Sequence, residues 1–240
     1  MTAAEPVVAL SGISKNYGAL RPLRIEHLSV AAAEAVAILG LDQGASEIFI
    51  IMVTGATLPE QGDVRSFGRS TAGIANSDDW LAFVDRFGIV SERAVLLDPL
   101  TAIQNIAVPF TLEIEPPPED VRRRAAALAA EVGLAATSLA KPVADLDPAA
   151  RARVRLARAL ALDPAVLLIE HLSAGIPKSD AAELGRSTRA VAAQRRAAAI
   201  TVTADPDFAA VIADRVLTLE PATGRLRPPG ALGWLKGRLG

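Results

Sequence analysis

The chain of 240 residues contains no cysteine and only two histidines, His27 and His171. The absence of cysteine excludes disulfides, thiolate metal sites and a cysteine nucleophile. Two histidines are too few for a metal site built from histidine. Aromatic residues are also scarce, at 4%, but 51% of the residues are hydrophobic and 22% are charged. This composition is typical of a folded chain with one sizeable core rather than of a disordered one.

An excess of charge of one sign is also missing, because the formal net charge is −2 and no long basic run occurs. This balance argues against nucleic acid as a partner. No apolar run reaches the ~18–20 residues that span a bilayer, and the opening MTAAEPVVAL lacks the basic-then-apolar pattern of a secretion signal. We therefore expect a soluble, cytoplasmic chain that reaches a membrane only through a partner.

Short apolar runs alternate with helical segments along the chain. The run Ala35–Leu39, AVAIL, ends at Gly40 as a buried central strand does, and AVLLIE, AAITVTA and VLTLE predict further strands, of which VLTLE is expected to be the last. Val7–Ser11 and Leu23–Val30 predict two short strands around a turn. The segment Ser46–Thr54 fits a helix, although its Ile and Val residues also suit a strand. The alternation predicts an α/β fold with a mostly parallel sheet covered on both faces.

Six stretches of sequence occur in an order that points to one family. They are AVAILGLDQGASEIFIIMV, LSGISKNYGA, LPEQGDVRSFG, VLLDPLTAIQNIAVPFTL, ARVRLARALALDPAVLLIE and DPDFAAVIADRVLTLE. Together they resemble the nucleotide-binding subunit of an ABC transporter, over nearly the whole chain from Val7 to Leu226. The resemblance implies a RecA-like P-loop NTPase core with an N-terminal antiparallel β portion and an inserted helical subdomain. It also implies an adenine-stacking aromatic at Tyr17.

The resemblance implies one ABC-type domain over residues 1–240. Its core is expected at about 1–90 and 163–227, its helical insertion at about 91–162, and a short tail at 228–240.

The phosphate loop departs from the pattern that binds nucleotides. In G-x-x-x-x-G-K-[ST], backbone N–H groups hold the phosphates, the lysine neutralises them and the hydroxyl binds magnesium. On the family's spacing Gly40 and Gly44 remain, but Ala45 replaces the second loop glycine, Ser46 the lysine and Glu47 the hydroxyl. These five residues form a vestigial phosphate loop, and we expect ATP and Mg to bind weakly or not at all.

The positions that carry out hydrolysis in the family are replaced as well. By resemblance, Glu92 stands at the magnesium-sensing glutamine and Glu170 at the Walker B aspartate. His171 stands at the catalytic glutamate and Ala204 at the switch histidine. We therefore predict no catalytic residue and no metal ligand in this chain.

The signature motif Leu-Ser-Gly-Gly-Gln, which holds the γ-phosphate in a partner subunit, corresponds to LDPAA. Its residues are Leu146, Asp147, Pro148, Ala149 and Ala150. An aspartate there repels phosphate, and a proline removes an N–H donor.

Each of these residues also has a purely structural interpretation. Tyr17 fits a surface or core aromatic, His171 a satisfied polar residue at a strand end, and Glu170 a structural acid. Asp147 before Pro148 is a good helix N-cap. The arginines within Arg151–Arg158 fit a solvated helix face.

The sequence therefore favours a pseudo-ATPase that is a structural or regulatory subunit of a membrane transport complex. It would dock to a transmembrane permease through Ser91–Phe110 and form a homodimer or heterodimer with an ABC ATPase subunit, at the inner face of the membrane. One alternative is a divergent ATPase that uses Glu170 and His171 to power transport. Another is a free-standing interaction module.

Overall fold

The computed structural model describes residues 5–230, so residues 231–240 of the expected tail lie outside the described part. Within it, ten strands and seven α-helices follow one another. The strands are β1 Val8–Lys15, β2 Leu23–Val30, β3 Ala35–Leu39, β4 Gln61–Ser66, β5 Arg69–Ser70, β6 Phe87–Val90, β7 Val166–Glu170, β8 Ala198–Val202, β9 Arg215–Glu220 and β10 Arg225–Arg227. The helices are α1 Gln43–Val53, α2 Ser77–Val84, α3 Ala102–Ala107, α4 Glu119–Glu131, α5 Pro148–Ala159, α6 Lys178–Gln194 and α7 Pro206–Ile212. No helix among these residues is both long and apolar enough to cross a bilayer.

The strands form two sheets. The larger has the order β10-β9-β3-β8-β7-β6, in which every pair is parallel except β9 with β10. The smaller, β2-β1-β4-β5, is antiparallel and includes the two N-terminal strands. Strand β3 lies inside the larger sheet between β8 and β9, as its uninterrupted apolar sequence predicts.

The larger sheet is buried on both faces because its central strands are apolar at every position. All five residues of β7 and of β8 are buried. Since successive side chains of a strand point to opposite faces, Leu167 and Ile169 belong to one core and Leu168 to the other. Helices α3 to α7 contribute to the first core, and helix α1 and the antiparallel sheet contribute to the second.

Three local features differ from the simplest interpretation of the sequence or extend it. The segment predicted as a helix at 46–54 is helical up to Val53, because Asp42 caps helix α1 and the helix buries Phe49, Ile50 and Val53. Helix α2 begins after Asn76, whose side chain accepts a hydrogen bond from the amide of Asp79. Strand β10 follows β9, so VLTLE is not the last strand of the chain.

Helices α3, α4 and α5 follow β6 and precede β7 in the chain, and they pack on one another. Helix α5 also contacts β6 and α6, so this helical part rests on the edge of the larger sheet. The division into a core and a helical insertion remains a prediction.

Candidate functional site at the carboxyl ends of the parallel strands

Two glycines lie at the turn from β3 into α1, Gly40 in the loop and Gly44 in the first turn of the helix. Gly40 has a φ of +89°, and a Cβ atom there would lie 3.0 Å from the carbonyl oxygen of Leu219. A Cβ atom at Gly44 would lie 3.2 Å from two ring carbons of Tyr17. The glycines therefore make room for a neighbouring strand and for an aromatic ring of the same chain.

Asp42 satisfies the amino terminus of helix α1. Its Oδ1 atom accepts a 2.7 Å hydrogen bond from the amide of Ala45, and its carbonyl oxygen accepts one from the Ser46 hydroxyl, also at 2.7 Å. The Tyr17 hydroxyl donates to Asp42 Oδ2 at 3.3 Å. Burial and the Asp42 charge raise the pKa of Tyr17, so the phenol keeps its proton. A carboxylate of the chain itself thus lies where a helix amino terminus attracts anions.

Ser46 and His171 connect the loop to the end of strand β7. Ser46 is fully buried, and its hydroxyl oxygen lies 3.2 Å from Nε2 of His171. The backbone of His171 has a φ of +47°, and its amide donates to the carbonyl of Val202 at 2.9 Å. The side chain of His171 is therefore a hydrogen-bonded polar group at a strand end.

A second contact network surrounds Glu170, whose side chain is only 6% exposed. Its Oε2 atom accepts a 2.6 Å hydrogen bond from the Ser91 hydroxyl and forms an ion pair with Arg93 Nη2 at 2.9 Å. Its Oε1 atom accepts another from Arg93 Nη1 at 3.1 Å. The same Nη1 atom lies 3.2 Å from Glu47 Oε2, so one guanidinium bridges two carboxylates.

Ser91 and Arg93 are not among the site residues that the sequence predicts. The sequence feature that could have indicated Arg93 is its place directly after Glu92, in a chain that has Glu47 and Glu170 at two positions that bind magnesium in the family. Two acids without a nearby base require a counter-charge, and Arg93 supplies it.

The residues at the four replaced catalytic positions line one cavity. Glu170, His171 and Ala204 line a cavity of about 350 Å³ that also includes Asp42 and Glu92. Glu92 itself is exposed and forms no hydrogen bond among the described residues. A neighbouring cavity of about 230 Å³ shares Ser91, Glu92, Glu170, His171 and Ala174, and it extends to helix α5.

Helix α5 begins with the predicted cap. Asp147 Oδ1 accepts a 2.7 Å hydrogen bond from the amide of Ala150, and Pro148 occupies the first turn. Leu146, Ala149 and Ala150 are buried. The signature-like segment therefore uses its own carboxylate at its amino terminus.

The interpretation of Arg151–Arg158 as a solvated face is wrong, since its four arginines are all half-buried. Three of them have partners in the chain. Arg151 donates to the carbonyls of Val143, Ala144 and Leu146, Arg153 pairs with Glu183, and Arg158 donates to the carbonyl of Val95. Long aliphatic stems allow arginine to pack on a protein surface in this way.

Arg155 differs from the other three arginines. Its Nε atom is buried without a partner, as that of Arg153 is, but Arg155 has no hydrogen bond to any described residue through its other nitrogens either. Burial lowers the pKa of its guanidinium, and the charge of Glu92 opposes that effect.

The residues of this site do not fit ATP with magnesium. The amide of Ala45 already donates to Asp42, and the buried hydroxyl of Ser46 replaces a lysine ammonium. Arg93 lies between the two carboxylates that a cation would need. Among residues 5–230, no group of three His, Cys, Asp or Glu side chains is arranged to hold a metal.

Known proteins resemble this chain over most of its length, although no family model matches it. The methionine import ATP-binding protein MetN of Brucella abortus is 29% identical over 217 residues, which are 90% of this chain and 58% of MetN. The lipoprotein-releasing system ATP-binding protein LolD of Chromohalobacter salexigens is 31% identical over 199 residues, 83% of this chain and 82% of LolD. The chain thus spans less than two thirds of the length of MetN.

Solved structures confirm the α/β fold class predicted from the sequence. The dimeric ATP-binding cassette MJ0796, bound to ADP and Pi, superposes with a TM-score of 0.75 at 20% identity, covering 92% of this chain and 96% of its own. The structure of cbiO1 from Clostridium perfringens has a TM-score of 0.79 at 18% identity, covering 97% and 91%.

Proposed function

This chain belongs to the ATP-binding subunits of ABC transporters, and we propose that it is a pseudo-ATPase, a structural or regulatory subunit of a membrane transport complex. The proposal concerns activity, because family membership alone does not decide whether a subunit hydrolyses ATP.

The observation that carries the proposal is the pair of aspartate caps. Asp42 Oδ1 accepts from the amide of Ala45, and Asp147 Oδ1 accepts from the amide of Ala150, both at 2.7 Å. In the family, the phosphate loop of one subunit and the signature of another hold a nucleotide from opposite sides. Here an internal carboxylate competes with phosphate on each side, and its negative charge repels the incoming anion.

The pair of caps argues against activity in any dimer. In a homodimer, every composite site would contain one loop and one signature that are both capped. In a heterodimer with an active subunit, the loop would disable one composite site and the signature the other. We therefore propose that this chain completes no hydrolysing composite site in a homodimer or in a heterodimer, so that its contribution to the complex is structural or regulatory.

The proposed partners follow from the relatives. MetN is an import subunit and LolD belongs to a lipoprotein-releasing system. We propose that this chain likewise assembles with a transmembrane permease, through Ser91–Phe110, and with a second ABC subunit. The proposal places the chain at the inner face of the membrane, with residues 91–162 as the helical insertion.

Two measurements on wild-type protein test the proposal. The first is titration calorimetry with ATP and Mg²⁺ combined with an ATPase assay, on the chain alone and in its membrane complex. We expect no turnover from the chain and no low-micromolar binding. Turnover by the chain alone that disappears in His171→Ala would instead establish the divergent ATPase.

The second measurement is purification of the tagged chain from its own membranes. Recovery of a permease subunit is the expected result. Recovery from the soluble fraction only, with no membrane protein bound, would favour the free-standing interaction module.

A further inference from the structure

The contacts of Arg93 point to a role that the proposed function does not contain. We propose that the Arg93 guanidinium is a built-in replacement for a divalent cation, so that this site and the segment 91–100 are held in place without metal. The inference rests on the proposed function, because it explains how a subunit without nucleotide chemistry keeps its site ordered.

Glu170 is a buried acid that requires a counter-charge. A carboxylate that is 6% exposed is unfavourable without a counter-charge and several hydrogen bonds. Arg93 contacts both of its oxygens, with an ion pair at 2.9 Å and a hydrogen bond at 3.1 Å, and the Ser91 hydroxyl donates a second hydrogen bond at 2.6 Å. A planar guanidinium suits this two-point contact better than an ammonium does.

The Arg93 guanidinium also forms an ion pair with a second acid, Glu47. Nη1 of Arg93 lies 3.2 Å from Glu47 Oε2 while it also contacts Glu170. Two carboxylates that converge on one point are sufficient protein ligands for Mg²⁺, which keeps several of its waters. In this chain the point of convergence is taken by a cation that is covalently part of the protein, and a metal ion would have to displace it against like-charge repulsion.

The segment 91–100, which contains Arg93, is held by further hydrogen bonds within the chain. The amide of Leu97 donates to Oδ1 of the fully buried Asn105 at 2.8 Å, and Nδ2 of Asn105 donates to the carbonyl of Leu97 at 3.1 Å. The carbonyl of Val95 accepts a 2.9 Å hydrogen bond from Arg158. At the amino-terminal end of the segment, Ser91 and Arg93 contact Glu170. The position of the segment therefore depends on contacts with side chains of the same chain at both ends.

The consequence is a surface whose order does not depend on metal. Val95 and Leu97 expose 67% and 44% of their area and lie within the segment that we propose to contact the permease. A segment tied by arginine presents them in one arrangement whether or not magnesium is present.

Divalent-ion binding tests the inference without any nucleotide, so that its outcome is separate from that of the ATPase assay. The probe is Mn²⁺, followed by electron paramagnetic resonance on the full chain. We expect Arg93→Gln to bind one ion at least about tenfold more tightly than wild type, and we expect this gain to be lost in Arg93→Gln with Glu170→Gln. Arg122→Gln is the matched control, because Arg122 pairs with the exposed Glu119 on its own helix.

Hydrogen exchange of residues 91–100 gives a second readout, in wild type and in two Arg93 variants. We expect wild-type exchange to be the same with Mg²⁺ and with a chelator. In Arg93→Gln, exchange should become faster and Mn²⁺ should slow it again, while Arg93→Lys should lie between that variant and wild type. Wild-type binding of Mn²⁺ as tight as that of Arg93→Gln, no gain of binding in a folded Arg93→Gln, or wild-type exchange that responds to Mg²⁺ would each overturn the inference.

Discussion

Asp42 and Asp147 have the same relationship to their helices: each accepts a 2.7 Å hydrogen bond from the amide three residues later in the chain. The two helices, α1 and α5, are those whose amino termini hold phosphate in the family that the chain belongs to. An aspartate side chain therefore caps the amino terminus of each helix, and it places a negative charge there.

The first prediction concerns the stability that these caps provide. Asp42→Ala and Asp147→Ala should each lower the free energy of unfolding by about 1 kcal/mol, because a helix-terminal amide loses its acceptor. Asp42→Asn and Asp147→Asn are the matched controls, since asparagine caps as well as aspartate and removes only the charge. Chemical denaturation measures all four, and an alanine variant as stable as its asparagine counterpart would contradict the assigned role.

The second prediction compares two arginines on helix α5. Arg155 has a buried Nε atom without a hydrogen bond, so Arg155→Met should raise the free energy of unfolding by about 1 kcal/mol. Arg151 donates to three backbone carbonyls, so Arg151→Met should lower it by about 1–3 kcal/mol. The two changes remove the same side chain in the same helix. Thermal and denaturant unfolding should give opposite signs, and equal effects would show that the hydrogen bonds do not distinguish the sites.

The third prediction is a dependence of stability on pH. Arg69 donates two hydrogen bonds to Asp79 and the amide of Ala75 donates a third, and these contacts lower the pKa of Asp79 to about 2. Because the folded pKa lies below the unfolded value of 3.8, the contribution is complete above that value and is lost as the pH falls towards 2. The stability difference between wild type and Asp79→Asn should therefore shrink over this range. A difference that stays constant from neutral pH to pH 2 would rule out the assignment.

The fold could be predicted from the sequence because its signals are local and strong. The apolar strand β3 and the cap at Asp147 each follow from a few adjacent residues. Helix α1 was ambiguous, since its Ile and Val residues suit either structure, and the decisive contact is the Asp42 cap. Strand β10 is three residues long, too short to give a periodic pattern.

The charged contacts of the site could not be predicted in the same way. Arg93 and Glu170 are 77 residues apart in the chain, and Ser46 and His171 are 125 apart. Such pairs depend on how the carboxyl ends of parallel strands meet, which no local pattern encodes. The arginines of α5 differ from their sequence-based prediction for the same reason, because an arginine-rich helix fits a solvated face and only its neighbours in space show that the side chains are half-buried.

The last prediction separates a loop that has only lost its lysine from one that is also blocked. Ser46→Lys with Glu47→Ser should restore weak binding of ATP, because Gly40 and Gly44 still shape the loop. Adding Asp42→Gly should strengthen that binding by roughly tenfold, since it frees the amide of Ala45 and removes a charge.

None of these variants should hydrolyse ATP, because His171 and Ala204 provide neither an oriented water nor a γ-phosphate contact. Calorimetry with ATP and Mg²⁺ measures the series, and circular dichroism establishes that each variant remains folded. The double variant, with Asp42 intact, is the control for the triple one. If the two bind ATP equally well, the internal carboxylate does not block the loop, and the loss of the lysine alone accounts for weak binding. Stronger binding in the triple variant shows that Asp42 holds a place that phosphate would take.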